Sequence, residues 1–172
     1  YPRRSNINGL CRIALDKLKK TYEQDIQEKN IRIIFDNLTL SLMMEVNVEQ
    51  FSKVLAGILK NSMYALLKKS ETVTFSPEIF LGLKVNKDML EITIRDNGSG
   101  IDENIKDKIF APFFTTKTTG EAAGVGLYLC REIVQNHRGT IEVESKKGEY
   151  TQFLITIPVY QPKTITPPKE EE

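Results

Sequence analysis

Apolar residues recur along the chain with two spacings, and each spacing predicts a type of secondary structure. Steps of three and four residues predict three long helices over residues 9–29, 47–69 and 125–137. Alternation of apolar and polar residues predicts strands. The six predicted strands cover residues 31–35, 42–46, 79–85, 89–95, 140–145 and 151–157.

Capping and turn residues divide these elements. Asn47 and Gln50 have the capping-box spacing and predict a helix start, and Gly139 stands where a C-terminal helix cap is expected. Residues 86–88 suit a tight hairpin. Short strands, mostly linked by hairpins and mixed with helices, predict an α+β fold, in which a mixed, mostly antiparallel sheet packs one face on helices as a two-layer sandwich.

Composition limits the classes of protein that fit. A chain of 172 residues with 40% hydrophobic content is enough for one domain. With 24 basic and 23 acidic residues the net charge is +1, so we expect no nucleic-acid partner and only local binding of phosphate. The two cysteines, Cys11 and Cys130, form no CxxC pair and are expected to be core residues in a reducing compartment.

Targeting signals are not evident in the sequence. No apolar run approaches the roughly 20 residues that span a bilayer, and the basic start is followed by polar residues rather than by a signal-peptide core. We therefore expect a cytoplasmic domain. The chain begins at Tyr1 without an initiator Met, which suggests a piece of a longer protein whose membrane attachment is open.

Residues 96–100, Asp-Asn-Gly-Ser-Gly, directly follow a predicted strand. They do not form a calcium loop, because Gly98, Gly100 and Ile101 occupy the third, fifth and sixth places of the EF-hand template. One interpretation is a plain turn. The other is that Asp96 accepts a hydrogen bond from an exocyclic amine such as that of adenine, while Gly98 and Gly100 let a flat ring approach the backbone.

Asn61 borders the apolar stripe of the second predicted helix, near Ile58 and Ala65. A polar side chain in that place needs a partner, and one interpretation is a structural hydrogen bond to a neighbouring strand. The other interpretation is an oxygen ligand for a hard cation. Mg²⁺ bound to nucleotide phosphates takes few protein ligands, so one amide oxygen can be enough.

Residues 124–127, Gly-Val-Gly-Leu, open the third predicted helix. They are not a dinucleotide fingerprint, because no strand precedes them and Leu129 occupies the position of the last glycine. A glycine hinge is the simplest interpretation. A glycine pair at a helix start also offers free N–H groups and the positive end of the helix dipole to a phosphate.

Residues 110–117, Phe-Ala-Pro-Phe-Phe-Thr-Thr-Lys, begin a segment without apolar period that extends to residue 123. Two phenylalanines usually indicate a core. A long loop without regular structure is more often a lid than a simple connection, so we expect residues 113–123 to be mobile in the absence of nucleotide.

Taken in chain order, Asn61 and the segments 96–100, 110–117 and 124–127 resemble the N, G1, F and G2 boxes of the ATP-binding domain of sensor histidine kinases, in the gyrase, Hsp90, histidine kinase and MutL superfamily. The match covers residues 7–158 and implies the Bergerat α/β sandwich, with ATP and Mg²⁺ as cofactors. The resemblance implies that Asn61 holds Mg²⁺, that Asp96 binds the adenine amino group, and that Asn61 and Lys117 serve catalysis. The implied ATP site comprises Asn61, Asp96, Gly98, Gly100, Ile101, Phe113, Phe114, Thr115, Thr116, Lys117, Gly124, Val125, Gly126, Leu127 and Thr151.

Three positions depart from patterns of the superfamily. Gly57 stands where hydrolytic members carry a water-activating Glu and where histidine kinases often carry an Asn, so phosphoryl transfer is expected rather than hydrolysis. Tyr64 replaces a common basic residue, and Tyr150 replaces the Gly that usually precedes the Thr corresponding to Thr151. The Phe-Phe-Thr-Thr-Lys and Gly-Val-Gly-Leu segments look most like the nitrogen-regulator type of sensor kinase.

The resemblance also implies partners and a domain plan. His137 is the only histidine, and at a helix end it is expected to cap or pack rather than to accept phosphate. The acceptor is then a His on a helical hairpin of the same or a partner subunit, with a response regulator downstream. We expect a linker helix within residues 1–30, the ATP-binding domain in residues 31–160 and a disordered acidic tail in residues 161–172, with the isolated domain monomeric.

Two other functions fit the same residues. One is a non-catalytic nucleotide-binding or interaction module, in which the changes at Gly57 and Tyr64 have removed the chemistry and kept the fold. The other is a self-sufficient ATPase with an unrecognised base. A His-Glu or His-Asp box in sequence preceding Tyr1 would favour the histidine kinase.

Overall fold

The structure, a computed structural model, describes residues 1–112, Phe114 and residues 125–159, with only the backbone of Val125 included. The six predicted strands and the three predicted helical regions occur in the predicted order, together with a further strand at the N-terminus. In chain order they are β1 (Pro2–Asn6), α1 (Ile7–Thr21), α2 (Glu23–Lys29), β2 (Arg32–Asp36), β3 (Met43–Asn47), α3 (Val48–Ser70), β4 (Glu78–Asn86), β5 (Met89–Asp96), α4 (Glu103–Lys106), α5 (Val125–Asn136), β6 (Thr140–Lys146) and β7 (Tyr150–Pro158).

Five strands form a mixed sheet in the order β2-β4-β5-β7-β6. Strands β2 and β4 are parallel, and the other neighbours are antiparallel. The alternation predicted from the sequence places Leu90, Ile92 and Ile94 of β5 on the buried face, opposite apolar residues of β7. The helices cover this face, so the predicted α+β two-layer sandwich is confirmed.

Helix α3 is the central helix and contacts α1, α5 and β5. Its Leu55, Ile58 and Leu59 are fully buried, because they fall on one face at the helical period. The Asn47 side chain accepts a hydrogen bond of 3.1 Å from the Gln50 N–H, which confirms the predicted helix start. The buried face of α3 therefore fixes the positions of the polar residues that border it on the same helix.

The N-terminal part differs from the prediction. The helix predicted over residues 9–29 is two helices, because the backbone leaves the helical conformation at Tyr22 (φ −110°, ψ 25°). Strand β1 has no apolar alternation and is formed by pairing with β3 in a separate two-stranded sheet. Strands β2 and β3 lie in different sheets and are not a hairpin. Ile7 and Cys11 of α1 are buried in the same core as α3, and the linker role of this region stays a prediction.

The C-terminal cap of α5 is shifted by one residue from the predicted one. Arg138, not Gly139, has the left-handed conformation (φ 61°). The N–H groups of Gly139 and Arg138 bond the carbonyls of Val134 and Gln135, each at 2.9 Å, which is the Schellman arrangement. Gly139 is needed because a Cβ there would collide with the Thr156 carbonyl oxygen.

The single histidine has a structural role. His137 is buried, its Nε2 accepts a hydrogen bond of 3.1 Å from the Asn47 N–H, and its Nδ1 lies 2.8 Å from the Ile133 carbonyl. With Nε2 as the acceptor, the ring proton lies on Nδ1 and is donated to the Ile133 carbonyl. The prediction that His137 packs at a helix end is therefore confirmed. Cys11 and Cys130 are also buried as predicted, and burial raises the pKa of each thiol to about 12.

Candidate functional site

A cavity of about 320 Å³ opens between α3, the loop after β5 and the start of β7. Its wall also includes residues of α4, the N-terminal turn of α5 and the β6–β7 turn. Seven residues predicted from the sequence line it, namely Asn61, Asp96, Gly100, Ile101, Phe114, Leu127 and Thr151. The structure thus brings together segments that are up to 90 residues apart in the chain.

Asp96 is the last residue of β5 and is 2% exposed, because the strand alternation turns it to the helix-covered face. Its Oδ1 accepts a hydrogen bond of 2.9 Å from the Gly98 N–H. Burial raises the pKa of this carboxyl to about 7, although the Gly98 N–H, the Ser62 hydroxyl, Lys69 and Arg95 each act to lower it. Asp96 is therefore a buried acceptor, and a hydrogen bond from a ligand would stabilise its charged form.

Ser62 is a second buried polar group close to Asp96, although it does not line the cavity, and the sequence analysis did not single it out. Its hydroxyl is buried and makes no hydrogen bond to any described residue, yet it is close enough to Asp96 to lower the pKa of the carboxyl. The signal in the sequence is a serine on the apolar stripe of α3 directly after Asn61. A buried hydroxyl needs a hydrogen-bond partner, and the neighbouring Asp96 carboxylate can accept from it.

The two glycines after Asp96 pack the loop against its neighbours. A Cβ on Gly98 would lie 2.5 Å from the Ala65 carbonyl carbon, and the Ser99 N–H bonds the Ala65 oxygen at 3.1 Å. Gly100 has φ 67°, and a Cβ there would collide with the Lys146 carbonyl. Gly98 does not line the cavity, so its part in approach of a flat ring stays a prediction, whereas its packing on α3 is observed.

Replacing Gly98 with Ala should destabilise the domain by about 1–3 kcal/mol, because the new methyl group overlaps the backbone of α3. The matched control is Gly126→Ala, since no described atom lies within 4 Å of a Cβ at that position. Urea unfolding of both variants measures the effect. Equal stability of Gly98→Ala and wild type would contradict this packing role.

Asn61 lies on α3 at the wall of the cavity. Its Nδ2 donates a hydrogen bond of 3.1 Å to the Gly57 carbonyl one turn earlier, which leaves Oδ1 as the available acceptor. The structural hydrogen bond of the first interpretation exists, but it goes to the same helix rather than to a strand. The oxygen required by the second interpretation remains available for a hard cation.

Gly57 has a packing reason for its small size. A Cβ on Gly57 would lie 3.1 Å from the Cys130 sulfur, where α3 and α5 pack together. Cys130 also approaches the Val54 carbonyl, with Sγ at 3.8 Å. The close contact between the two helices therefore favours glycine at the position where hydrolytic relatives of the superfamily carry a Glu.

Thr151 is the direct cross-strand partner of Asp96 and is 4% exposed. The neighbouring Tyr150 points to the opposite face of the sheet, where its hydroxyl donates to Glu144 at 2.6 Å and its ring lies 4.3 Å from the Arg95 guanidinium carbon. The unusual Tyr150 is thus accommodated outside the cavity. The polar pair that faces the cavity is Asp96 and Thr151.

Several charged residues of the wall were missed by the sequence analysis. Lys68 and Lys147 line the cavity, and Lys147 bonds Asp102 at 3.1 Å. The pKa of Asp102 is lowered by its hydrogen bond from the Asn104 N–H and then by Lys147. Surface charges have no periodic pattern, so only the fold shows that these come together.

Some predicted site residues lie outside the described part of the chain. These are Phe113, Thr115, Thr116, Lys117 and Gly124, together with the predicted mobile loop of residues 113–123 and the tail of residues 161–172. Val125 begins α5, which agrees with the predicted helix start, and Gly126 follows it in the first turn. Their roles toward phosphate stay predictions.

The described residues contain neither a helix suited to cross a membrane nor a cluster of metal-binding side chains. None of the helices in residues 1–112 and 125–159 is long and apolar enough to cross a membrane. No group of three or more His, Cys, Asp or Glu residues in the same ranges could hold a metal ion.

Sequence comparison places these residues in a known family. The model for histidine kinase-, DNA gyrase B- and HSP90-like ATPases matches residues 47–161. Cyanobacterial phytochrome A from Nostoc sp. is 35% identical over 149 residues, which are 85% of this chain and 18% of the relative. Sensor histidine kinase ZraS from Salmonella typhi is 29% identical over 154 residues, which are 90% of this chain and 30% of the relative. The chain spans less than a third of the length of these two relatives.

Solved structures show the same fold. The nucleotide-free catalytic domain of histidine kinase ThkA matches with a TM-score of 0.74 and 28% identity, over 92% of this chain and 95% of that chain. ThkA in complex with the response regulator protein TrrA matches with a TM-score of 0.69 and 25% identity, over 92% of this chain and 42% of that chain. The chain therefore belongs to the histidine kinase-, DNA gyrase B- and HSP90-like ATPase family, and its fold is that of a histidine kinase catalytic domain.

Proposed function

We propose that this domain binds ATP with Mg²⁺ and transfers the γ-phosphoryl group to a His on a separate helical hairpin. The observation that carries the proposal is the convergence of Asp96, Asn61 and Thr151 on one cavity. These residues come from three different elements. A buried carboxylate, a free amide oxygen and a hydroxyl suit the base and the phosphates of one nucleotide.

The adenine end of the site is formed around Asp96. Its carboxylate accepts a hydrogen bond from the exocyclic amine, and this bond compensates for part of the cost of burying the charge. Ile101, Leu127 and Phe153 supply apolar surface on the wall of the same cavity. This combination of apolar surface and a few polar groups is typical of a site for a flat base.

The phosphate end is formed around Asn61. Its Nδ2 is engaged by the Gly57 carbonyl, so Oδ1 is the atom that would hold Mg²⁺. When bound, Mg²⁺ neutralises charge on the phosphates and orients the γ-phosphoryl group. The start of α5 at Val125, with the glycines at 124 and 126, would add backbone N–H groups for phosphate.

Transfer to a protein acceptor is favoured over hydrolysis. The carboxylates among the described lining residues are Asp96 and Asp102, and both are engaged, by the Gly98 N–H and by Lys147 respectively. Gly57 has no side chain that could activate water. Catalysis then depends on positioning and on neutralisation of charge, with Lys117 as a further candidate cation.

The partners follow from the same proposal. ThkA has been solved with its response regulator TrrA, and we propose a response regulator as the downstream partner of this domain. The acceptor hairpin would belong to the same or a partner subunit, with residues 1–30 leading to it. We propose a cytoplasmic location, a monomeric isolated domain, and no nucleic-acid partner because the net charge is only +1.

The test supplies the acceptor hairpin of the parent kinase in trans with labelled ATP and Mg²⁺. Acid-labile phosphate should appear on the hairpin, and the domain alone should hydrolyse ATP very slowly. Hydrolysis at several turnovers per second by the domain alone would instead support the self-sufficient ATPase. Binding of ATP without transfer would support a non-catalytic module, and phosphate on His137 would contradict its structural role.

A further inference from the structure

Ser145 is a buried residue of β6 that lies next to the cavity wall without lining it. Its hydroxyl oxygen contacts three groups from two chain segments, the loop after β5 and the start of β7. The Ile101 N–H donates to it at 2.8 Å, the Tyr150 carbonyl lies at 2.7 Å, and the Thr151 hydroxyl lies at 3.0 Å. Ser145 is therefore the centre of a small hydrogen-bond network behind the candidate adenine site.

The number of protons fixes the direction of these bonds. A hydroxyl has one proton and two acceptor sites. The carbonyl of Tyr150 can only accept, so the Ser145 proton goes to it, and the Ile101 N–H uses one acceptor site of Ser145. The remaining acceptor site receives the proton of the Thr151 hydroxyl. The Thr151 oxygen consequently faces the cavity with its lone pairs and without a proton to donate.

Asp96 lies beside this oxygen as the direct cross-strand partner of Thr151. Both residues line the cavity and both are almost fully buried. A carboxylate and a hydroxyl held as an acceptor form a pair of acceptors on one wall. This pair is complementary to a group that carries hydrogens and repels a group that presents only lone pairs.

We propose that Ser145 is a positioning residue that determines the base specificity of this site by holding the Thr151 hydroxyl as an acceptor. The inference rests on the proposed binding of a nucleotide in the cavity. A 6-amino purine has an N–H donor group that matches the two acceptors. A 6-oxo purine has a carbonyl oxygen at the same position, so it lacks the donor that the two acceptors require there.

Loss of the Ser145 hydroxyl frees the Thr151 proton. In Ser145→Ala the Thr151 hydroxyl loses the acceptor that fixes it and is able to donate to a 6-oxo group. The preference for ATP over inosine triphosphate should then fall about tenfold, because the variant can satisfy a carbonyl that wild type cannot. The same change removes the Ser145 hydroxyl as a partner of the Ile101 N–H and of the Tyr150 carbonyl, so part of the stability is also lost.

The experiment separates specificity from stability. ATP and inosine triphosphate are titrated, with Mg²⁺, into wild type, Ser145→Ala, Thr151→Val and the double variant, each shown to be folded by circular dichroism. The ratio of the two affinities should fall in Ser145→Ala. In the Thr151→Val background the Ser145 substitution should not change the ratio further, because the hydroxyl on which Ser145 acts is absent.

Each outcome decides a different point. An unchanged ratio in Ser145→Ala, or an equal loss of both affinities, shows a structural role only and overturns the inference. A change of ratio that persists in the Thr151→Val background overturns it as well. If Ser145→Ala does not fold, Thr151→Val carries the test, because removal of the acceptor should by itself lower the preference for ATP, and an unchanged ratio there overturns the inference. Absence of binding of either nucleotide to wild type overturns the proposed function and this inference together.

Discussion

Replacing Asp96 with Asn should stabilise the nucleotide-free domain at pH 8 and weaken its binding of ATP. Burial raises the pKa of Asp96 to about 7 from the ordinary value of 3.8, so holding its charge at pH 8 destabilises the fold by up to roughly 4 kcal/mol. The neutral amide of Asn avoids this loss. Its oxygen can accept from the Gly98 N–H, and its nitrogen can donate to the unpaired Ser62 hydroxyl.

The stability effect has a defined dependence on pH. Because the pKa of Asp96 is raised in the folded state, the folded domain binds more protons than the unfolded chain between about pH 4 and pH 7. The stability associated with this proton is fully present below the unfolded pKa and is lost as the pH rises through about 7. The pKa of Asp102 is lowered, so its contribution to stability is lost as the pH falls. Asp102 is present in both wild type and Asp96→Asn, so the comparison between them removes this contribution. Urea unfolding at pH 5 and pH 8 should therefore show a gain for Asp96→Asn mainly at pH 8.

Nucleotide binding should respond in the opposite direction. The amide lacks the negative charge that strengthens a hydrogen bond from the adenine amine, so ATP affinity should fall by about 1.5–3 kcal/mol. Wild type should also lose affinity between pH 8 and pH 6, since Asp96 becomes protonated in that range. Calorimetric titration measures both affinities at each pH. The triphosphate also becomes protonated in this range, and Asp96→Asn shows the size of that contribution because it lacks the titrating carboxyl. Equal affinities would remove Asp96 from the adenine site, and equal stabilities at pH 8 would contradict its raised pKa.

The parts of the site that the sequence predicted depend on local patterns. Asp96 faces inward because β5 alternates, and Asn61 lies at the cavity because it borders the apolar face of α3. These positions follow from the periods of a strand and a helix, which short windows of sequence contain. The same periods predicted the sheet, the central helix and the α+β class.

The parts that were missed depend on contacts between distant segments. Ser145 accepts a hydrogen bond from the N–H of Ile101, which lies 44 residues earlier in the chain, and Lys147 lines the cavity only because its turn closes over the loop after β5. Strand β1 likewise exists because β3 supplies its partners. Gly98 was predicted to be a functional glycine, but the contact that requires glycine there is a tertiary one, with the backbone of α3 at Ala65. Local patterns cannot contain such information.

Asn61→Ala should abolish the effect of Mg²⁺ on nucleotide binding and lower phosphoryl transfer to the hairpin by about a hundredfold or more. The substitution removes Oδ1, the oxygen that we propose as the protein ligand of the cation, and positioning of the γ-phosphoryl group depends on that cation. The matched control is Asn61→Asp, which also loses the Nδ2 hydrogen bond to Gly57 but keeps an oxygen ligand. A defect due to the lost helix contact would appear in both variants, and a defect due to the metal only in Asn61→Ala.

Titrations of ATP with Mg²⁺ and with a chelator separate the two contributions. Without Mg²⁺, wild type and Asn61→Ala should bind ATP with similar affinity, because the remaining contacts at Asp96 and Thr151 are retained. With Mg²⁺, wild type and Asn61→Asp should bind more tightly, and Asn61→Ala should not. If Mg²⁺ strengthens binding to Asn61→Ala as much as to wild type, Asn61 is not the metal ligand. Its role is then structural, through the hydrogen bond to the Gly57 carbonyl.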